Sequence, residues 1–329
     1  MISRHEFSDY LKWVFNHLNN IDKGNEVLEL NYNGEHLQIK TANEANISTK
    51  NLVLGTGLTP YIPKSLRKNL SETLFHSSEF TFKKIDLRNK KVAIIGGGQS
   101  AAEIVEFILS DQHHLPAKIQ WISTRDNFLP IDDSPFTNEL FVPAYSRHFY
   151  SLSASKKETL LNRQRLASDG ISESTTLSIY RHLYHLKYIK KMQQVCHLYP
   201  SNNLSSVEQK ENQYIIHVHD LHADLIKKHL VDMVILCTGY QYNLPPFLKQ
   251  ISPKKNQRGL IVDKDYRLKW RGDHNCSIYI QNGARHTHGI ADPNLSLLAY
   301  RSARIINHIA QKKIYKNIEG DSLIQWGTL

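Results

Sequence analysis

Cysteine is scarce in this chain. Three occur among 329 residues, Cys196, Cys237 and Cys276, far apart in sequence. They form no C-x-x-C and no metal-ligand spacing. That excludes a dithiol redox centre and a zinc ribbon, and it suits a reducing cytoplasm. No apolar run approaches the roughly 18 residues that span a bilayer. The start, "MISRHEFSDYLKW", lacks the apolar core and small-residue cleavage site of a signal peptide. No repeat of fixed period occurs, which excludes a solenoid. The net charge is +10, but it is scattered in short pairs such as Lys83-Lys84, Lys90-Lys91 and Lys227-Lys228. With no basic stretch interleaved with aromatics, a base-stacking surface and a nucleic-acid partner are not expected. The bias reads as a solvated basic surface with some arginines for cofactor phosphates. Among the histidines, His217 and His219 would share one face of a strand in "HVHDLHAD". No closed ligand set of the zinc kinds follows them, so no metal site is expected.

What is present is an α/β pattern. "SRHEFSDYLKWVFNHL" reads as a helix, with Ser3 and Glu6 as a capping box and Phe7, Tyr10, Leu11, Val14 and Leu18 as an apolar stripe. "EVLELNYN" and "HLQIKTA" read as strands joined by a hairpin turn near Asn33-Gly34. Leu52 to Leu54 reads as a buried strand running into Gly55-Thr56-Gly57. "KKVAIIGGGQSAAEIVEF" follows: an apolar strand from Val92 to Ile95, a glycine turn, and a helix with Ala101, Ala102, Ile104, Val105, Ile108 and Leu109 as its apolar positions. Gly96, Gly98 and Ala101 fill the G-x-G-x-x-G/A slots of a dinucleotide-binding unit. "KIQWIST" is its second strand. A helical and irregular stretch runs from about Phe128 to Met192. "QYIIHVHD" reads as an edge strand, and "DMVILCTGY" as a second buried strand ending in a Thr-Gly turn. "LSLLAYRSARIINHIAQ" reads as a closing amphipathic helix. Two strand-to-glycine crossings flanking a nucleotide unit suggest a chain that leaves one dinucleotide domain, builds another, and returns.

The second strand ends Ser123-Thr124-Arg125. A guanidinium there suits the 2′-phosphate of NADP(H), although Asp126 stands beside it and an exposed loop arginine is the alternative. Gln99 follows the last loop glycine. Its side chain either reaches over the pyrophosphate or simply begins the helix.

The motifs "ISRHEFSDYLKW", "LGTGLTPYIP", "VAIIGGGQSAAE", "DDSPFTNELFVP", "LASDGISESTTLSIYRHLY", "ILCTGY" and "HTHGIADPNLSLLAYRSARI" together resemble the flavin-dependent lysine and ornithine N-hydroxylating monooxygenases of siderophore biosynthesis. "SDGISESTTLSIYRHLYH" and "SLIQW" are most similar to the lysine 6-monooxygenase branch, whereas "DDSPFTNELF" is more similar to the ornithine branch. The resemblance implies an α/β, two-dinucleotide-binding-domain flavoprotein with its NADP domain inserted in the FAD domain. Residues 1–84 would be a partial FAD domain and 85–240 the NADP domain, with a helical substrate segment at about 130–190. Residues 241–329 would return to the FAD domain. No G-x-G-x-x-G or G-x-G-x-x-N precedes Gly96, nor does the lysine that family members place there for the substrate carboxylate. The FAD domain is therefore expected to be incomplete at its N-terminus, from a truncated gene product or a late-called start. Strands near Leu52 and Ile235 would then expose apolar edges.

By the same resemblance the cofactors are FAD and NADPH, and O₂ and a small amine are the substrates. The side-chain amine of L-lysine, L-ornithine or a related amine becomes a hydroxylamine. It must be neutral to react, against a reference pKa of roughly 10.4. Gly96, Gly97, Gly98, Gln99, Ser100 and Arg125 fall on the NADP positions, and Gln99 lies near the flavin as well. Asp169 falls where ornithine enzymes have asparagine and lysine enzymes aspartate, and it groups with the cofactor residues. Pro293, Asn294 and Leu295 match the FAD-contacting loop, although Asp292-Pro293 by itself reads as a helix start. Asn138 matches the residue holding the substrate amine, Glu139, Leu140 and Phe141 line its loop, and Ser296 matches the substrate-carboxylate serine. "RHTHG" (Arg285 to Gly289) reads as a flavin-side loop. No side chain is expected as acid, base or nucleophile, since the flavin carries the chemistry. The family commonly self-associates, so the resemblance allows a homo-oligomer. Two other readings stand beside this one: a catalytically inactive fragment that at most binds NADP(H), and a flavin monooxygenase acting on sulfur or a ketone.

Overall fold

The computed structural model describes residues 3–327 apart from 258 and 273. In chain order, α1 (Arg4–Asn16) begins on the capping box: the Ser3 hydroxyl accepts the Glu6 N–H, and the Glu6 carboxylate accepts the Ser3 N–H. Its stripe is not buried; Phe7, Tyr10, Leu11 and Leu18 are exposed and Val14 is half-buried. β1 (Val27–Tyr32) and β2 (Leu37–Thr41) form the hairpin, whose turn is closed by the Asn33 side chain accepting the N–H groups of Glu35 and His36. β3 (Asn46–Thr49) adds to β2. β4 (Asn51–Leu54) was expected to be buried. Instead only Leu54 is buried and Val53 is 40% exposed. Among the described residues β4 pairs with β17 alone.

After β5 (Thr59–Pro60) come β6 (Leu74–His76), β7 (Lys91–Ile95), α2 (Gln99–Ser110) and β8 (Lys118–Ile122). The helical stretch holds α3 (Pro135–Asn138), α4 (Pro143–Ser151), α5 (Ala154–Arg163), α6 (Arg165–Asp169) and α7 (Glu173–Tyr184), the last continued by a π turn, His185–Ile189. β9 (Cys196–Tyr199), β10 (Asn202–Lys210), β11 (Gln213–Asp220), β12 (Leu225–Val231), β13 (Met233–Leu236) and β14 (Tyr240–Gln241) follow. β15 (Lys255–Asn256), β16 (Gly259–Leu260), β17 (Ser277–Ile280), α8 (Arg285–His288) and α9 (Leu298–Ala310) complete the order. Among the described residues no helix is long and apolar enough to cross a membrane.

The chain divides into two compact units. One comprises 1–54, 244–263 and 267–280. It holds the β1-β2-β3 sheet and the parallel pair β4-β17. The other comprises 55–243, 264–266 and 281–329, and is built on a five-stranded parallel sheet of order β6-β13-β7-β8-β9. Alternation sorts its side chains to two cores. Val92, Ile94, Ile119, Trp121 and Ile235 face α2 and α7 with Ala102, Val105, Leu109 and Ile179. Ala93, Ile95, Ile122, Val234 and Leu236 face the β10-β11-β12 sheet, meeting Tyr214, Ile216 and Val218. Both faces are covered, which is why these strands read as continuous apolar runs.

Three expectations are corrected here. "QYIIHVHD" is the central strand of its antiparallel sheet, hydrogen-bonded on both sides, because its polar alternation faces solvent rather than an open edge. The strand at Ile235 is interior, with β6 on one side and β7 on the other, and exposes no apolar edge. Asp292-Pro293 starts no helix. The Asp292 carboxylate turns inward to accept the Ala284 N–H at 2.9 Å, and the cap belongs to Asn294, which accepts the Ser296 N–H.

Candidate functional site

The turn after β7 has no room for side chains. Gly96 sits at φ +139°, and a Cβ there would lie 2.2 Å from the Cys237 carbonyl oxygen at the end of β13. A Cβ on Gly97 would lie 2.1 Å from Ser123 Oγ at the end of β8. The Gly96 N–H bonds the Ile122 carbonyl at 2.8 Å, and the Trp121 indole N–H donates to the Gly96 carbonyl at 2.8 Å. Three parallel strands thus clamp one turn, and the chain leaves it as α2 with Gly98 as N-cap. The start of a helix leaves its first N–H groups without intrahelical partners, which with the helix dipole favours an anion.

That turn floors a cavity of about 730 Å³, a usual size for a small-ligand site. All of Gly96, Gly97, Gly98, Gln99, Ser100, Arg125 and Asp169 line it, with Arg165, Gly239 and Arg285. Arg125 lies over the turn; a Cβ on Gly98 would be 3.8 Å from its Nη2. Burial and the neighbouring charge of Arg165 push the Arg125 pKa down, against the pull of Asp169. Its Nη1 is buried with no hydrogen-bond partner. An unpartnered guanidinium nitrogen above a glycine turn at the end of the second strand fits a phosphorylated dinucleotide. Gln99 is turned to the helical segment: its carbonyl oxygen accepts the Ser172 N–H at 2.7 Å, and its amide donates to Glu103 and Ser172 Oγ. Asp169 accepts from Ser168 Oγ and, at 3.4 Å, from Arg285 Nη2, which also donates to Ser168 Oγ.

The remaining expected residues gather elsewhere, and none lines that cavity. Asn138, exposed at the end of α3, donates to the Asp133 carbonyl. The Glu139 carboxylate accepts from Ser322 Oγ and the Leu323 N–H, tying the "SLIQW" motif to this segment. Leu140 is half-buried. Phe141 packs against Ala291, Leu297 and Tyr300, and its carbonyl accepts from Ser296 Oγ at 3.0 Å. Substrate-loop and carboxylate-serine positions are therefore neighbours. Pro293, Asn294 and Leu295 stand exposed in a row beside them. Next to that row, Asp292 Oδ1 is buried without a hydrogen-bond partner, and burial raises the pKa of Asp292 and of the neighbouring Tyr242. Such an orphaned polar atom fits the edge of a second polar cofactor such as FAD. No group of three or more metal-ligating side chains occurs among the described residues.

Sequence reasoning gave no role to Arg165, Trp121 or Ser172. Trp121 was visible only as an apolar strand residue, and nothing in its spacing tells of the bond to Gly96. Arg165 and Ser172 lie in a helical stretch whose approach to the glycine turn is purely tertiary.

Residues 1–242 match the model of the L-lysine 6-monooxygenase/L-ornithine 5-monooxygenase family. The chain is 33% identical to the L-lysine N6-monooxygenase of Escherichia coli, over 99% of this chain and 77% of that protein. It superimposes with a TM-score of 0.90 and 25% identity on the FAD-bound cadaverine monooxygenase of the desferrioxamine pathway of Erwinia amylovora, covering 99% of this chain and 77% of that one. It superimposes with a TM-score of 0.83 and 26% identity on an ornithine N-hydroxylase of Kutzneria sp. 744 holding reduced FAD, NADP⁺ and L-ornithine, covering 94% and 77%. The fold, the glycine turn and these likenesses agree: the chain belongs to the L-lysine 6-monooxygenase/L-ornithine 5-monooxygenase family of flavin-dependent N-hydroxylases.

Proposed function

We propose that this chain serves the NADPH- and FAD-dependent N-hydroxylation of the side-chain amine of L-lysine, with O₂ as co-substrate, in the making of a hydroxamate siderophore. The observation that carries the cofactor half is the unpartnered Arg125 nitrogen above the glycine turn. The likeness to the Escherichia coli enzyme and the aspartate at position 169 support lysine over ornithine. In this reading residues 85–240 form the NADP domain and 1–84 with 241–329 contribute to the FAD domain, in a cytoplasmic enzyme that self-associates. Gly96 to Ser100, Arg125 and Asp169 hold NADP(H). Pro293, Asn294 and Leu295 border FAD, which when bound supplies the redox chemistry and oxygen activation.

The residues of the chain bind, orient and exclude water. Asn138 holds the amine from the end of α3, Glu139, Leu140 and Phe141 shape its loop, and Ser296 meets the substrate carboxylate. Withdrawing the amine from water favours its neutral form. The test is Asn138→Ala in the chain joined to an N-terminal FAD-binding unit of the family, with hydroxylamine formed and NADPH consumed measured side by side. The ratio of hydroxylamine to NADPH is expected to fall at least about tenfold, the order of one lost positioning contact, with NADPH oxidation largely retained. An unchanged ratio would remove Asn138 from the substrate site.

A further inference from the structure

The cavity over the glycine turn is lined by three guanidiniums, Arg125, Arg165 and Arg285, and by one carboxylate, Asp169. Arg285 is paired with that carboxylate and with Ser168. Among the described residues neither Arg125 nor Arg165 forms an ion pair with a carboxylate. They come from different elements, the end of β8 and the first turn of α6, and both line this one cavity, where the charge of Arg165 helps push the Arg125 pKa down. Two like charges in one cavity, one of them with a buried nitrogen that has no hydrogen-bond partner, make a standing repulsion that an anion between them relieves. The pyrophosphate of a dinucleotide already has the start of α2. A phosphate monoester carries about 1.5 to 2 negative charges at neutral pH and takes several charge-assisted bonds, which suits two forks better than one.

We propose that Arg165 joins Arg125 as a two-arginine clamp on the 2′-phosphate of NADP(H), so that Arg165 is a specificity-determining residue for the nicotinamide cofactor. This rests on the reading of the cavity as an NADP(H) site. Asp169 is paired with Arg285, and its pull on Arg125 is outweighed by burial and by the charge of Arg165.

The experiment is isothermal titration of NADP⁺ and NAD⁺ into the wild type, Arg125→Ala, Arg165→Ala and Arg165→Lys. Arg165 is exposed, so the variants should keep the parent melting temperature, which is measured alongside. Arg165→Ala is expected to weaken NADP⁺ at least about tenfold, near 1.4 kcal/mol, and NAD⁺ by less than about twofold. Arg165→Lys should fall between, since it keeps the charge and loses the fork. Its NADP⁺ affinity should also depend less steeply on salt in the alanine variant than in the wild type. Equal losses for both cofactors, or no loss for NADP⁺, would overturn the clamp. If Arg125→Ala discriminates between the cofactors and Arg165→Ala does not, the clamp fails while the NADP(H) reading stands. If the wild type shows no preference for NADP⁺, both fail.

Discussion

At the scale of single residues, the glycine turn is the most constrained place in the chain. Gly96 combines a left-handed φ with a neighbouring carbonyl oxygen inside the volume a Cβ would fill. A substitution there must shift the Cys237 backbone, which the interior strand β13 holds on both sides. Gly96→Ala is therefore expected to cost about 2–4 kcal/mol, combining backbone strain with overpacking, read as a lower urea midpoint. A change within about 0.5 kcal/mol, the range of a neutral surface substitution, would contradict that geometry. Gly98 differs: its nearest neighbours would stand 3.8 Å from a Cβ, so the fold tolerates a side chain there and only a ligand would object.

Among the elements, α7 ties the helical segment to the nucleotide unit. Its inner face buries Thr175 and Ile179 against the sheet core, and Ser172 ahead of its first turn receives Gln99. Ile179 is 4% exposed, and Ile179→Ala is expected to destabilise by about 2–5 kcal/mol through lost transfer energy and a residual cavity. A thermal melt within error of the wild type would show that α7 is not anchored through that face. Its outer face carries exposed Tyr180 and Tyr184. The elements of the nucleotide unit were legible in the sequence because each was locally over-determined: an apolar strand, a glycine turn, a helix with period 3.6. The capping box at Ser3 and the hairpin at Asn33 were legible for the same reason. What could not be read was pairing. The middle position of β11 and the interior position of β13 depend on neighbours distant in sequence, and alternation alone does not tell a central antiparallel strand from an edge. The site was legible where a motif carried it, at Gly96 to Ser100 and Arg125. It was illegible at Arg165 and Trp121, whose contacts exist only once the chain is folded.

At the scale of the whole molecule, the basic charge and the buried histidines set the response to pH. His288 is buried against Tyr266, ring centroids 4.1 Å apart, and shares a hydrogen bond with Thr287 Oγ1. Burial pushes its pKa from 6.5 down to about 3. The unfolded chain binds a proton at this ring below pH 6.5 while the folded chain does not, so this ring contributes no pH penalty above 6.5. Stability then falls progressively as pH drops from 6.5 toward 3. His76 and His229 are lowered by burial and act in the same direction. Between pH 7.5 and 5.5 the urea midpoint should fall, and His288→Gln should fall by less over the same interval. Parallel pH profiles for the two proteins would exclude His288 as a contributor. The account as a whole stands on the chemistry at the amine. Its most direct test is hydroxylamine formed by the chain joined to an N-terminal FAD-binding βα unit of the family, supplied with FAD, NADPH and O₂, on L-lysine, L-ornithine, cadaverine and putrescine in parallel. The account predicts hydroxylamine above background with L-lysine as the preferred amine and NADPH preferred over NADH. NADP⁺ binding without hydroxylamine from any of the four amines would contradict it.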